Sequence, residues 1–211
     1  VPVKIGLNIG SGGPNEGYVH ADFVGLFRTE FLYMESDRLP TEEEQFHAYK
    51  RVLERAGGIP VTLRTLDIGG DKKLPYLPLP AEDNPFLGKR ALRLCLDDEP
   101  LFCAQLRAAY RASAFGTLQI MFPMVGSIED IRRAKAIARS VRDGLREEGV
   151  PLGHVPLGVM IEIPAIAMIA PLAAREVDFA SIGTNDLCQY LCAADRMNPA
   201  VAPYYQSFSP A

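Results

Sequence analysis

The hydrophobic positions of this 211-residue chain form short apolar runs that alternate with longer amphipathic segments. Apolar runs of about four to eight residues, bounded by Gly, Pro, Asn or Asp, are typical of buried strands. Six such runs predict strands at residues 4–9, 24–32, 61–66, 118–125, 157–165 and 179–183.

The amphipathic segments between these runs predict helices, and two of them carry clear start signals. Thr41 followed by Glu44, and Ser127 followed by Asp130, have the spacing of capping boxes. Gly57 and Gly149 predict the ends of these two helices. Shorter helices are predicted at residues 16–23, 90–96, 100–114 and 166–177, and the Gly- and Pro-rich residues 68–90 predict a loop.

Strands that alternate with crossover helices predict parallel pairing and the α/β class. A doubly wound sheet and a (β/α)8 barrel both fit this alternation. A barrel of about 250 residues needs eight units, whereas this chain offers six. No linker divides the sequence, so residues 1–211 are predicted to be one domain, namely a TIM-type barrel truncated after about six units.

Composition excludes several classes of protein. The net charge is −4, so no basic excess is present to attract nucleic acid or a membrane surface. The sequence shows no signal peptide and no apolar run of about 18 residues, and we therefore expect a cytoplasmic domain. The four cysteines have neither zinc spacing nor a disulfide framework, so reduced thiols are expected.

Polar and charged residues stand where the predicted strands end. They are Arg28 and Glu30 in the second strand, Arg64 and Asp67 at the third, Glu162 in the fifth, and Asn185 and Asp186 after the sixth. Catalytic groups of parallel α/β proteins lie at the carboxyl ends of strands. These residues are therefore candidates for a single functional site.

Each candidate also has a structural interpretation. Arg28 can pair with Glu30 on the same strand face, and Glu162 can be held by backbone amides. Asp186 can be the N-cap of the next helix, and Arg196 alone fits a solvated loop. These alternatives compete with a shared site.

Considered together, the candidates favour a metal and an anion. Glu162 and Asp186 would repel one another at adjacent strand ends, and oxygen ligands of this kind suit Mg²⁺, with Mn²⁺ possible. With a divalent cation, Arg28, Arg64 and Arg196 leave a charge of about +3. A small phosphorylated carboxylic acid carries about three negative charges and matches that total.

Several long motifs also resemble one family. They are GLFRTEFLYM, TLRTLDIGGDK, NPFLGKRALR, ASAFGTLQIMFPMV, GVMIEIPA and FASIGTNDLCQY with ADR. In this order, they resemble the C-terminal phosphoenolpyruvate-binding domain of enzyme I of the bacterial phosphotransferase system (phosphoenolpyruvate–protein phosphotransferase). The segment GTNDL is shared with pyruvate phosphate dikinase and phosphoenolpyruvate synthase, so it marks only the superfamily.

The resemblance implies roles for individual residues. It implies that Arg28 and Arg64 bind phosphoenolpyruvate, that Glu162 and Asp186 bind Mg²⁺, and that Asn185 and Arg196 contact the phosphoryl group. Arg90 is a second-tier substrate-binding candidate, and Lys72 is weaker still.

The resemblance also implies partners. In the family, a histidine of a separate N-terminal domain receives the phosphoryl group and passes it to a small carrier protein in sugar uptake or its regulation. The family forms homodimers through this domain. Neither nucleic acid nor a membrane is expected as a partner.

The chain departs from the family pattern in two respects. It lacks the segment after the sixth unit, which holds the cysteine expected to protonate the enolate, and Cys188 stands where the family commonly has Thr. We therefore expect the chain alone to be inactive in turnover. A dikinase- or synthase-type domain and a non-catalytic ligand-sensing module are the alternative functions.

Overall fold

The computed structural model describes residues 2–10, 15–70, 72 and 74–208. Within these ranges six strands form one parallel sheet in the order β1 to β6. They are Gly6–Ile9 (β1), Phe23–Arg28 (β2), Val61–Arg64 (β3), Leu118–Phe122 (β4), Leu157–Ile161 (β5) and Phe179–Ile182 (β6). The sheet curls into half of a barrel, which confirms the predicted truncated α/β barrel.

Helices connect the strands in the described part of the chain. They are Glu30–Met34 (α1), Glu42–Ala56 (α2), Leu92–Asp97 (α3), Glu99–Ala112 (α4), Ile128–Glu147 (α5), Pro164–Met168 (α6), Ala170–Ala173 (α7) and Thr184–Cys192 (α8). Short 3₁₀ turns add Asn15–His20, Pro85–Leu87, Ser113–Phe115 and Pro199–Tyr204. Among the described residues, no helix combines the length and apolar character needed to cross a membrane.

The two longest helices begin with the predicted capping boxes. The Thr41 side chain accepts a hydrogen bond from the Glu44 amide, while the Glu44 carboxylate accepts one from the Thr41 amide. Ser127 and Asp130 form the same pair of bonds at the start of α5. Gly57 ends α2 with a φ of 59°, a conformation that glycine adopts without steric cost.

Several predicted boundaries are wrong, and β1, β3 and β4 are each two or three residues shorter than predicted. β2 ends at Arg28 instead of Leu32, because the chain turns directly into α1. β5 ends at Ile161, so Glu162 lies just beyond the strand. The predicted helix 166–177 is divided into α6 and α7, where Pro171 has no N–H to continue the helical hydrogen bonds. The predicted loop residues Asp71 and Lys73 lie outside the described residues.

The core lies between the sheet and the outer helices. Its strand residues Val24, Phe27, Leu63, Ile120 and Val159 are all almost fully buried. The next residues along the strands point to the opposite, inner face of the curled sheet, because side chains of a strand alternate between faces. The inner face is therefore where the charged strand ends meet.

β2 contains one extra residue relative to both neighbouring strands. Leu7 pairs with Val24, whereas Asn8 pairs with Leu26, so Gly25 has no partner in this register. The register between β2 and β3 is interrupted in the same segment. This β-bulge reverses the alternation of side chains, and Arg28 thereby becomes the register partner of Arg64.

Candidate functional site

A cleft of about 410 Å³ opens at the carboxyl ends of the strands. It brings together all the sequence-predicted site residues except Arg90, namely Arg28, Arg64, Glu162, Asn185, Asp186 and Arg196. Glu30, Asp67 and Lys72 line the same cleft. Among the described residues, the cleft therefore combines four carboxylates with four cationic side chains.

Arg64 is the most deeply held cation that lines the cleft. Its Nη2 donates to Glu30 Oε1 at 2.5 Å and lies 3.1 Å from Asp67 Oδ2. Burial by itself would lower the pKa of Arg64, but the charges of Asp67 and Glu30 raise it above its usual value. Arg64 is consequently a permanent cation beside any ligand in the cleft.

Arg28 is held differently from Arg64. The ion pair between Arg28 and Glu30 that the sequence allowed as an alternative is not formed, because Glu30 begins α1 and turns toward Arg64. The Arg28 guanidinium instead lies 4.6 Å from the centre of the Phe31 ring. Among the described residues, no acceptor reaches the buried Arg28 Nε. Arg28 thus lines the cleft without an ion pair to a carboxylate among the described residues.

Lys72 closes one side of the cleft by bridging two carboxylates. Its Nζ lies 2.8 Å from Glu30 Oε1 and 3.2 Å from Asp67 Oδ2. Burial alone would raise the pKa of Asp67, but the charges of Arg64, Arg90 and Lys72 lower it well below its usual range. Asp67 is thus an anion that organises the surrounding cations.

Arg90 lies behind the cleft wall and is 1% exposed. Its Nη2 donates to Asp67 Oδ1 at 2.9 Å and its Nη1 to Asp186 Oδ1 at 3.3 Å. The next residue, Ala91, has a φ of 51° and a ψ of −123°, which is uncommon for a residue with a Cβ. The Ala91 amide donates to Ile68 O at 3.0 Å and helps to fix this conformation. Arg90 therefore fixes the orientation of two carboxylates, those of Asp67 and Asp186.

Glu162 is buried in the cleft wall, 1% exposed. Its Oε1 accepts a hydrogen bond of 2.6 Å from the Met124 amide, and Met124 has a positive φ of 54°. Burial and the charges of Asp67 and Asp186 raise the pKa of Glu162 to about 7. The structural interpretation from the sequence is correct in that one backbone amide holds Glu162.

Asp186 is not the N-cap of α8, because the helix begins at Thr184 and the cap position belongs to Gly183. Asp186 is instead the third residue of α8, and its Oδ1 lies 3.4 Å from Arg196 Nη1. The Arg196 guanidinium also lies 5.5 Å from the centre of the Phe86 ring. Arg196 is therefore an ordered part of the cleft wall, unlike the solvated residue considered from sequence.

The carboxylate oxygens in the cleft fit a magnesium ion, although they do not belong to a larger cluster of metal ligands among the described residues. Within the described ranges, no group of three or more His, Cys, Asp or Glu side chains is arranged as metal ligands. Mg²⁺ is usually held by one or two carboxylates with water and substrate phosphate. Glu162 and Asp186 provide two carboxylates, and a cation would relieve the repulsion that raises the pKa of Glu162.

Part of the charge in this site was not predicted from the sequence. Glu30, Asp67 and Lys72 were not counted in the sequence-based charge balance, and Arg90 was not counted either. For the described residues, the two added carboxylates offset the two added cations, so the total charge expected with a divalent cation is unchanged at about +3. Glu30 and Asp67 could be recognised from the sequence, because both lie at strand ends. Lys72 could not, because its position depends on the path of a loop.

Comparison with known proteins gives one family over the whole chain. The family model described as "PEP-utilising enzyme, PEP-binding domain" matches residues 1–211.

Curated relatives agree with this match. Proteins named phosphoenolpyruvate-protein phosphotransferase are 55% identical in Priestia megaterium over 212 residues and 53% identical in Bacillus subtilis over 212 residues, covering 99% of this chain in each case. In Staphylococcus aureus, a relative with the same name is 54% identical over 213 residues and covers 100% of the chain. The chain spans 37% of the length of each of these relatives.

Proposed function

Because this chain belongs to the family of phosphoenolpyruvate-binding domains of PEP-utilising enzymes, we propose that its cleft binds phosphoenolpyruvate with Mg²⁺. We further propose that the chain is the substrate-binding part of a phosphoenolpyruvate–protein phosphotransferase. The curated relatives carry that name, which favours this activity over the dikinase and synthase alternatives. The domain covers residues 1–211.

One observation carries this proposal, namely the meeting of Arg28, Arg64 and Arg196 with Glu162 and Asp186 in one cleft of about 410 Å³. Guanidinium groups bind carboxylate and phosphate oxygens in a bidentate manner. Paired carboxylates and a phosphate together supply the oxygen ligands that Mg²⁺ prefers. A ligand that carries both a carboxylate and a phosphate can therefore bind the guanidinium groups and the metal ion at the same time.

We assign the phosphoryl group to the side of the cleft that Arg196 and Asn185 line. Arg28 and Arg64 bind the substrate at the ends of β2 and β3, where their positive charges neutralise the transferring oxygens and the enolate that remains. Arg28 lines the cleft without an ion pair among the described residues, and Arg64 is held in place by Glu30. We expect Arg90 to act through Asp67 and Asp186 and not by touching substrate.

Glu162 and Asp186 would hold Mg²⁺, or Mn²⁺ in its place. The bound ion would supply electrostatic stabilisation of the phosphoryl oxygens. Glu162 is kept in place by the Met124 amide, and Asp186 by the guanidinium groups of Arg90 and Arg196. The protein's contribution is to keep both carboxylates pointed into the cleft when no ligand is present.

The remaining chemistry involves other parts of the proposed system. The C–O bond of phosphoenolpyruvate breaks as its phosphoryl group moves to a histidine on a separate domain, and the enolate gains a proton to become pyruvate. A small phosphocarrier protein then receives the phosphoryl group. The homodimer and the cytoplasmic location belong to the same proposal.

Calorimetric titration of the chain with phosphoenolpyruvate tests the binding part of the proposal. We expect binding in the presence of Mg²⁺ and a strong loss of affinity in a chelator. Glu162→Gln and Asp186→Asn should abolish the response to metal, while Arg142→Gln, a change at a surface arginine paired with Asp143, should bind as the unmodified protein does.

Two results would contradict specific parts of the proposal. Tight binding of phosphoenolpyruvate that does not depend on metal would exclude the metal site at Glu162 and Asp186. Binding without any pyruvate release, after the histidine domain and the acid-bearing segment are supplied, would leave the ligand-sensing alternative in place of the enzyme.

A further inference from the structure

α8 carries two cysteines that have no part in the proposed phosphoryl transfer. Cys188 Sγ and Cys192 Sγ lie 3.9 Å apart, because residues four apart in a helix stack on one side. Both thiols are free. The pair lies on the same helix as Asn185 and Asp186, two of the residues that line the cleft.

A small cavity gives access to both sulfur-bearing side chains. It has a volume of about 140 Å³ and lies between α8 and the segment that carries Gln206 and Ser207. Cys188 is 8% exposed and Cys192 is half-buried. A water molecule occupies about 30 Å³ of liquid, so the cavity has room for a small oxidant such as hydrogen peroxide.

We propose that Cys188 and Cys192 are a reversible redox pair, which hydrogen peroxide oxidises to a disulfide within α8. In the first step one sulfur attacks a peroxide oxygen, the O–O bond breaks, and a sulfenic acid and one water are formed. The second sulfur then attacks the sulfenic sulfur, forming the S–S bond and releasing the second water. Hydrogen peroxide is reduced to two waters as the two thiols lose two hydrogens, so the step needs no other reactant.

The disulfide would strain the helix in which it forms. Cβ atoms four residues apart in a helix are separated by about 5–6 Å, whereas a disulfide holds its two Cβ atoms about 3.5–4.5 Å apart. The turn between Cys188 and Cys192 must therefore tighten or bend. Strained disulfides are readily reduced, which is the property that a reversible modification requires.

The bent turn contains the residue that anchors Arg196. Gln189 Oε1 accepts the Arg196 amide at 3.0 Å, and Gln189 O accepts the Ala194 amide at 3.2 Å. A change in this turn would displace Arg196 relative to Asp186, whose Oδ1 lies 3.4 Å from Arg196 Nη1. Oxidation should therefore weaken binding in the cleft, a consequence that rests on the proposed function.

Peptide mapping of the full chain tests the oxidation independently of ligand binding. The tryptic peptide between Arg175 and Arg196 contains both cysteines. After treatment with hydrogen peroxide we expect this peptide to lose two hydrogens and to resist alkylation until dithiothreitol is added. Alkylation of both cysteines after peroxide treatment, or a sulfenic acid that never resolves to a disulfide, would overturn the redox pair.

Titration with phosphoenolpyruvate and Mg²⁺ tests whether oxidation of the cysteine pair weakens binding in the cleft. The oxidised protein should bind about tenfold or more weakly, the factor expected for one lost charge-assisted hydrogen bond, and dithiothreitol should restore the affinity. Cys192→Ser should not respond to peroxide, whereas Cys103→Ser, a change at a half-buried thiol on α4, should respond as the unmodified chain does.

The outcomes separate the two proposals. A disulfide that forms without changing the affinity would overturn the coupling to Arg196. A reduced protein that fails to bind phosphoenolpyruvate would contradict the proposed function, whereas the peptide map would still decide whether Cys188 and Cys192 pair.

Discussion

Arg90 Nη1 lies 3.3 Å from Asp186 Oδ1, and this contact ties the loop that follows β3 to the first turn of α8. The same guanidinium donates to Asp67 Oδ1 at 2.9 Å through its Nη2. One buried cation thus compensates two carboxylates that come from distant parts of the sequence. The orientation of Asp186 in the cleft depends on a residue that does not line it.

Replacing Arg90 with Met should destabilise the protein by about 3–5 kcal/mol, because two buried carboxylates lose a shared partner. Urea unfolding measures the change. Lys89→Ala is the matched control, since the ion pair between Lys89 and Asp97 is exposed and such pairs contribute about 0–1 kcal/mol. A similar loss in both variants would show that Arg90 has no special part in holding the two carboxylates.

Glu162 should make the stability of the metal-free protein depend on pH. Its pKa in the folded protein is raised from 4.5 to about 7 by burial and by the charges of Asp67 and Asp186. Its contribution is therefore fully present below pH 4.5 and is lost as the pH rises through about 7. Unfolding in a chelating buffer at about pH 5 and pH 8 should show a decrease of up to about 3 kcal/mol from this group.

Glu162→Gln provides the control for this pH dependence, because the amide cannot ionise. The variant should lack the decrease between the two pH values, and at about pH 8 it should be at least as stable as the unmodified protein without metal. An unchanged pH profile in Glu162→Gln would mean that another group causes the decrease.

Gly183→Ala should displace the Glu162 side chain without removing any charged group. A Cβ at Gly183 would lie 2.8 Å from both Cβ and Oε2 of Glu162 and 2.9 Å from Met160 Sδ. Overpacking of this kind costs about 1–3 kcal/mol, and the displaced carboxylate should weaken the response of binding to Mg²⁺. Thermal unfolding and calorimetry measure the two effects.

Gly144→Ala is the matched glycine control, since a Cβ there meets no atom within 4 Å. It lies inside α5, where alanine is favoured over glycine by about 1 kcal/mol. We expect this variant to be more stable and to bind metal normally. If both alanine variants bound Mg²⁺ normally, the close approach of Gly183 to Glu162 would not be needed for metal binding.

Arg28 and Arg64 should separate ligand binding from stability. Arg28→Gln should weaken phosphoenolpyruvate binding about tenfold or more with little change in unfolding, because its guanidinium contacts the Phe31 ring and leaves its Nε unbonded among the described residues. Arg64→Gln should reduce both, since Glu30 and Asp67 depend on it. Equal stability losses in the two variants would contradict this division.

The parts of the structure that depend on neighbouring residues in the sequence were predictable. Thr41 with Glu44 and Ser127 with Asp130 specify helix starts through contacts three residues apart, so these two boundaries were correct. The alternation of apolar runs with helices gave the parallel sheet. The charged strand ends then indicated the cleft, because parallel strands deliver their carboxyl ends to one side.

The pairing of charges within the cleft was not predictable in the same way. Glu30 pairs with Arg64 and Lys72 instead of Arg28, since the end of β2 and the path of the loop after β3 decide which groups meet. Arg90 joins Asp67 to Asp186 through separations of 23 and 96 residues. Such contacts form only when distant segments come together in the fold, so no pattern of neighbouring residues predicts them.

The unpaired Gly25 of β2 has a consequence for the chain's tolerance of length changes. Deleting Gly25 would leave an even ladder with β1 and β3, and the strand would still form. Leu26, Phe27 and Arg28 would keep their partners in that ladder, so Phe27 would stay on the core face and Arg28 in the cleft. Deleting Thr62 from β3, where every residue is paired with β4, would instead turn Arg64 away from the cleft, because the side chains after a lost ladder residue exchange faces.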